Sequence, residues 1–229
     1  MRCNRKGVFW MTAGLILIVA AIVLAGYNIW EEKQALASAS QALAQLQAEI
    51  PVVQIPQVEP TVPEMPEEGA ETTVLPVIRQ DKEEVEIPDY ILNPEMDMPV
   101  RTVDGWDYIG VLDIPALNLS LPIISQWSDT ALKIAPCRYV GSAYTKDMVI
   151  AGHNYRSHFA NLKNVPEGSS VYFTDMDGNC FEYEVILIET LHSTDVEEMQ
   201  SGDWDLSLFT CTMSGQYRAM VRCELVSDK

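Results

Sequence analysis

Basic residues are scarce in this 229-residue chain: 15 Lys and Arg stand against 33 Asp and Glu, a net charge of −18. A surface that acidic repels polyphosphates, which excludes a broad nucleic-acid-binding face. Cysteine is scarce too. Five residues are too few for a disulfide-built scaffold, and an odd count leaves at least one thiol outside any internal pairing. No Cys/His spacing fits zinc. Asp175-Met176-Asp177-Gly178-Asn179 opens like a calcium loop, but Ile186 stands where the loop needs its closing Glu, and Gly178 comes two positions early. A hairpin turn centred on Asp177-Gly178 is expected instead, with no metal and no cofactor.

Charge is missing altogether from residues 7–30, whose centre runs Leu15-Ile16-Leu17-Ile18-Val19-Ala20-Ala21-Ile22-Val23-Leu24. A helix of that length crosses a hydrocarbon layer of about 30 Å. Arg2, Arg5 and Lys6 precede the run and Glu31 and Glu32 follow it, so residues 1–6 are expected in the cytoplasm and the rest outside. The nearest site resembling a signal-peptidase target, Ala37-Ser38-Ala39, is separated from the run by the polar stretch 31–34. A retained anchor is therefore expected rather than a cleaved signal peptide.

Residues 31–50 place Leu36, Ala39, Leu43, Leu46 and Ile50 on a 3.5-residue period, which predicts a juxtamembrane helix. Barely two heptads fall short of a coiled coil. Residues 51–100 hold nine of the 13 prolines and 12 acidic against 2 basic residues, the composition of an extended, charge-stiffened linker. Its last part, 87–92, is apolar enough to lie back on the domain that follows.

From residue 101 to 229 the chain changes character. Apolar runs at 109–115, 147–152, 171–174, 181–189, 206–211 and 217–226 read as strands, and only 128–133, 156–162 and 196–199 read as short helical turns. The pattern predicts a mainly β domain, an antiparallel sandwich or barrel long enough to bury a core. With 18 acidic and 9 basic residues it carries −9.

Nucleophilic thiol chemistry requires a thiolate, a base or cation that holds it ready, and a donor for the developing oxyanion. Cys211 ends an apolar strand and opens into the polar stretch Thr212-Met213-Ser214-Gly215-Gln216, so its thiol faces a cleft. Arg218 begins the next strand, where a hairpin brings its guanidinium beside the cysteine. His153 ends another strand after a flexible glycine, Gly152. Cys137, Cys180 and Cys223 are expected as small buried hydrophobes, and His158 and His192 as surface histidines. Arg222 lies about 13 Å further along its strand than Arg218.

These residues resemble those of the sortase family, cysteine transpeptidases of Gram-positive cell surfaces. The family's Thr-Leu-x-Thr-Cys signature is matched by Ser207-Leu208-Phe209-Thr210-Cys211, with Ser at its first position. Arg218-Ala219-Met220-Val221 matches its Arg-x-x-Val pattern, Ala151-Gly152-His153-Asn154 its Gly-His signature, and 109–115 its first barrel strand. The resemblance spans about residues 106–226. It implies a closed eight-stranded β-barrel with short helices. It also implies Cys211 as nucleophile, His153 as general acid/base and Arg218 as oxyanion stabiliser or substrate clamp, with Ser207 and Thr210 as candidate substrate contacts.

The implied partners are exported proteins carrying a C-terminal Leu-Pro-x-Thr-Gly-like sorting motif, and a peptidoglycan-precursor or pilin amine that accepts them. The short stretch between the strands ending near Thr190 and beginning near Leu206 argues against class B. The lack of an Asp-Pro-aromatic lid argues against class C, leaving a class A-like or D-like enzyme. The alternatives are a catalytically silent barrel serving as a surface binding domain, and a thiol protease that releases the same product to water.

Overall fold

The computed structural model describes residues 5–51, 88–212 and 214–226. Most of the acidic, proline-rich segment lies outside them. Nine strands form: β1 (Arg101–Val103), β2 (Trp106–Ile114), β3 (Leu119–Ile124), β4 (Cys137–Val140), β5 (Met148–Gly152), β6 (Ser170–Asp175), β7 (Cys180–His192), β8 (Leu206–Cys211) and β9 (Tyr217–Leu225). Their order is β1-β2-β3-β4-β5-β8-β9-β7-β6, and β6 pairs back onto β2, so β2 to β9 close into an eight-stranded barrel. β1 is a ninth strand, hairpinned onto the outside of the ring. The β3–β4 and β5–β8 pairings are parallel and the rest antiparallel.

The predicted strands are all present, and the structure adds β1, β3 and β4. β3 contains Pro122, which cannot donate a ladder hydrogen bond. Beyond its antiparallel pairing with β2 it meets β4 only at Ile124, so the proline's missing N–H falls on the open side. The ring closes because Gly110 lets β6 approach: a Cβ there would collide with the Thr174 carbonyl and the Phe173 ring. Inside lie Ile109, Leu112, Ile150, Phe173, Tyr183, Leu208 and Val221.

The turn at 175–180 forms as a hairpin whose buried Asp175 carboxylate accepts from the Asp177 and Asn179 amides, Asn179 Nδ2 and Tyr144 Oη. Short helices are α2 (Asp89–Leu92), α3 (Asp129–Leu132) and α4 (Val196–Gln200). Residues 88–100 pack on the barrel, as expected for 87–92. Tyr90 stacks on Tyr144 at 4.7 Å and Met98 enters the core.

The segments expected as anchor and juxtamembrane helix form one helix, α1 (Arg5–Glu49). Its first half exposes its apolar side chains and is long and apolar enough to be a candidate membrane anchor. Its second half buries Ala35, Ala39, Ala42 and Leu46 against the barrel, while Leu36 faces solvent. The face in use is therefore rotated from the predicted seam and packs within the chain. Ala42 and Leu46 meet Val103, Tyr108, Ile124 and Cys137.

Two further expectations are overturned. Cys180 is exposed at the start of β7, because the period of two puts it on the outer face beside buried Phe181. His158 is buried against Tyr155. Burial, reinforced by nearby His153 and opposed weakly by the Ile134 backbone, pushes its imidazole down to about 4.

A histidine depressed in the folded state holds its full stability contribution above its unfolded value near 6.5 and loses it as pH falls toward 4. Urea titration should therefore show wild type losing about 2–3 kcal/mol between pH 7 and pH 4.5 beyond what His158→Met loses. Equal losses would show that this buried ring does not govern acid stability.

Candidate active site

Strand register assembles the site. β8 and β9 are antiparallel neighbours in which Cys211 lies directly opposite Arg218. Opposed residues share a face, with Cβ atoms about 4.5–5.5 Å apart. On the other side of β8 the parallel strand β5 pairs Gly152 with Thr210, so His153 and Cys211 are each one step beyond a paired position on adjacent strands. Such strands lie about 4.8 Å apart. All three line one cavity of about 510 Å3, with Trp127, Tyr139, Phe209 and Met199 among its walls. Cys211 also borders a second opening of about 360 Å3, lined by Thr210, Asn154, Arg156 and Glu32. A third cavity of about 490 Å3, between the far end of α1 and the 178–180 turn, is remote from these residues.

Gly152 is required by contact and not by flexibility. Its backbone is not in the left-handed region, and a Cβ there would drive into the Phe159 ring, which packs directly against it. The Phe159 amide in turn donates to the His153 carbonyl at 3.1 Å. Gly152→Ala should therefore displace either ring or strand, at a cost of about 1–3 kcal/mol. It should lower kcat with the misplaced imidazole, and a variant with wild-type Tm and kcat would refute this role.

His153 is half-buried, and its ring stacks on Tyr155 at 4.4 Å with planes 15° apart. Burial is the main influence on its imidazole and pushes its pKa down; Glu31 pulls it up, Lys133 pushes it down and Asp129 pulls it up. Arg218 is also half-buried, and its Nη1 donates to the carbonyls of Gly215 (3.1 Å) and Tyr217 (3.3 Å). The guanidinium is thus parked on its own turn, beside Cys211 and at the cavity wall. The Thr210 hydroxyl is buried with no hydrogen-bond partner among the described residues, a donor left over at the second opening.

Ser207 does not reach the site. It is buried, and its Oγ accepts from Arg222 Nη1 at 2.9 Å. Arg222 lies directly opposite it on β9, and four residues of β8, about 13 Å, separate it from Cys211. Arg222, the sequence rival of Arg218, is fully engaged with Glu189 at 2.8 Å and with the carbonyls of Glu198 and Met199 at the end of α4. It fastens α4, whose Val196 and Met199 wall the cavity. Exposed His192 pairs with Thr194 at 2.8 Å, and Cys137 and Cys223 are buried with thiols pushed up to about 12 by burial.

Three contributors escaped sequence reasoning. Tyr155 has no periodic signal. Glu31 and Glu32 lie more than a hundred residues away in the chain, yet Glu31 binds Lys133 at 2.7 Å and Glu32 accepts from the Arg156 amide at 2.9 Å. The arrangement can present a thiol, a proton carrier and a fixed cation to one carbonyl group.

The sortase-domain family model matches residues 112–226. No curated protein matches the chain. Among solved structures the chain is similar to sortase C from Clostridium perfringens SM101, at 24% identity and TM-score 0.46, covering 53% of this chain and 71% of that one. It is also similar to a Clostridium perfringens sortase D5 transpeptidase (21%, TM-score 0.48, 56% and 83%). A lid mutant of sortase A from Corynebacterium diphtheriae gives 23%, TM-score 0.47, 61% and 76%.

Proposed function

Since this chain belongs to the sortase family of cell-wall transpeptidases, we propose that it is a membrane-anchored cysteine transpeptidase with Cys211 as its nucleophile. The observation that carries this reading is the register: Cys211 opposite Arg218, one strand from His153, all on one cavity. The Cys211 thiolate attacks the carbonyl of a Thr–Gly-like bond in a Leu-Pro-x-Thr-Gly-like sorting motif. Arg218 leaves its parking carbonyls for the developing oxyanion, a charge its planar fork suits better than an ammonium would. His153 gives its proton to the leaving amine as the C–N bond breaks, leaving a thioester. An acceptor amine then attacks that carbonyl, the C–S bond breaks, and the amine's proton returns through His153 to the enzyme.

α1 is the anchor, with its basic N-terminus in the cytoplasm and the barrel outside. A class A-like or D-like enzyme serving a peptidoglycan-precursor or pilin amine fits the sequence motifs. The test is incubation of the full chain, held in bilayer discs, with sorting-motif peptides plus triglycine or diaminopimelate-bearing acceptors, with products read by mass. Amide-linked products support the reading. Hydrolysis alone in the presence of every acceptor points to a thiol protease, and no product at all to a silent binding barrel.

A further inference from the structure

α1 passes without a break from its exposed apolar half into the half that is docked on the barrel, and no glycine or proline interrupts residues 27–49. The apolar half ends at Tyr27 and Trp30, exposed rings with centroids 6.0 Å apart. Rings of this kind settle at the headgroup level of a bilayer. The next two residues are already fixed to the catalytic end of the barrel: Glu31 to Lys133, a wall of the cavity holding His153, and Glu32 to the amide of Arg156. Glu32 and Cys211 border the same opening. Fifteen residues further on, Gln47 borders the remote cavity that contains Cys180, which at 1.5 Å per residue is about 22 Å along the helix axis.

Charge is distributed to match. The segment from residue 101 carries −9, yet four of its nine basic residues, Lys133, Arg156, Lys163 and Arg218, line the two openings at the catalytic end. Among the lining residues Glu32 and Asp129 oppose them, and Glu31 pairs with Lys133 at 2.7 Å. Basic groups at a bilayer surface are drawn to anionic headgroups.

We infer that the catalytic end of the barrel is a membrane-contacting surface, held by the docked helix against the anionic headgroup layer so that the Cys211 opening lies at the bilayer face. This rests on the reading of α1 as a membrane span. The surface admits peptide bonds presented close to the membrane and disfavours those held far above it.

The full chain is reconstituted in phosphatidylglycerol-containing vesicles with a fluorescent amino acid in place of Lys163 or, as the far reporter, Cys180. Lipids carrying a nitroxide on the headgroup serve as quencher. Quenching should be several-fold stronger at position 163 than at position 180. The double variant Ala39→Arg/Ala42→Arg, which drives charge into the buried helix face, should erase the difference while alkaline carbonate still leaves the chain in the membrane. Equal quenching at the two positions in the undisturbed chain overturns the inference while the span stands. A chain that carbonate washes off overturns the inference together with the anchor reading.

Discussion

Cys211→Ala is expected to abolish both cleavage and transfer of a sorting-motif peptide, leaving no covalent adduct on the protein. The four described cysteines are all unpaired, so disulfide formation does not single one out; environment does. Burial holds Cys137 and Cys223 as neutral thiols far from neutral pH, with values near 12. Cys180 is exposed, but it borders the remote cavity, away from His153 and Arg218. Cys211 alone has a cation opposite it in register and an imidazole on the neighbouring strand. Cys180→Ala should therefore retain wild-type kcat, and Cys137→Ala should lose only stability, about 1–3 kcal/mol. Mass analysis after peptide incubation should locate the acyl group on Cys211, and an adduct on Cys180 would reassign the nucleophile.

Arg218→Lys should lower kcat by about 10²–10³-fold, the usual effect of losing an oxyanion donor. The lysine keeps the charge but loses the planar fork, whose Nη1 alone serves both carbonyls and whose other N–H groups suit an oxyanion. The same experiment read against pH examines His153. Burial lowers its pKa, so the imidazole is mostly neutral at pH 7, whereas the leaving amine needs the proton of an imidazolium. kcat/KM should therefore depend on pH between about 5 and 10, falling as the imidazolium loses its proton.

Glu31 offers a signed check on this. Its carboxylate raises the His153 pKa and neutralises Lys133, which lowers it. Glu31→Gln removes the first effect and unmasks the second. Both changes push the imidazole down, so the profile should move to lower pH and the rate at pH 7 should fall. A flat wild-type profile, or an unchanged Arg218→Lys enzyme, would defeat this mechanism.

How much of this was legible in the sequence follows from the range of the forces involved. Period-two alternation and turn chemistry act over a few residues, and they located β2, β5, β6, β7, β8 and β9. β3 was missed because its proline contradicts the local rule, and its tolerance depends on which strand lies beyond it. β4 is four residues long and pairs with β3 only at Cys137. The glycine before His153 was legible as necessary but not for the right reason, since the Phe159 ring that excludes a Cβ is a tertiary neighbour.

The sequence by itself determined the long apolar N-terminal helix, the barrel strands that bear Cys211, Arg218 and, one step beyond, His153, and the Cys211–Arg218 pair, because a hairpin brings residues seven apart into register through local pairing alone. Only the tertiary structure decided that His158 is buried, that Ser207 serves Arg222, that Tyr155 stacks on His153, and that Glu31 and Glu32 return to the catalytic end. The Ser207–Arg222 pair depends on which strands the closed sheet sets side by side, and the Glu31 and Glu32 contacts span up to 124 residues. No local periodicity encodes such contacts; for Glu31 and Glu32 it is the burial of α1's alanine face that holds the helix on the barrel.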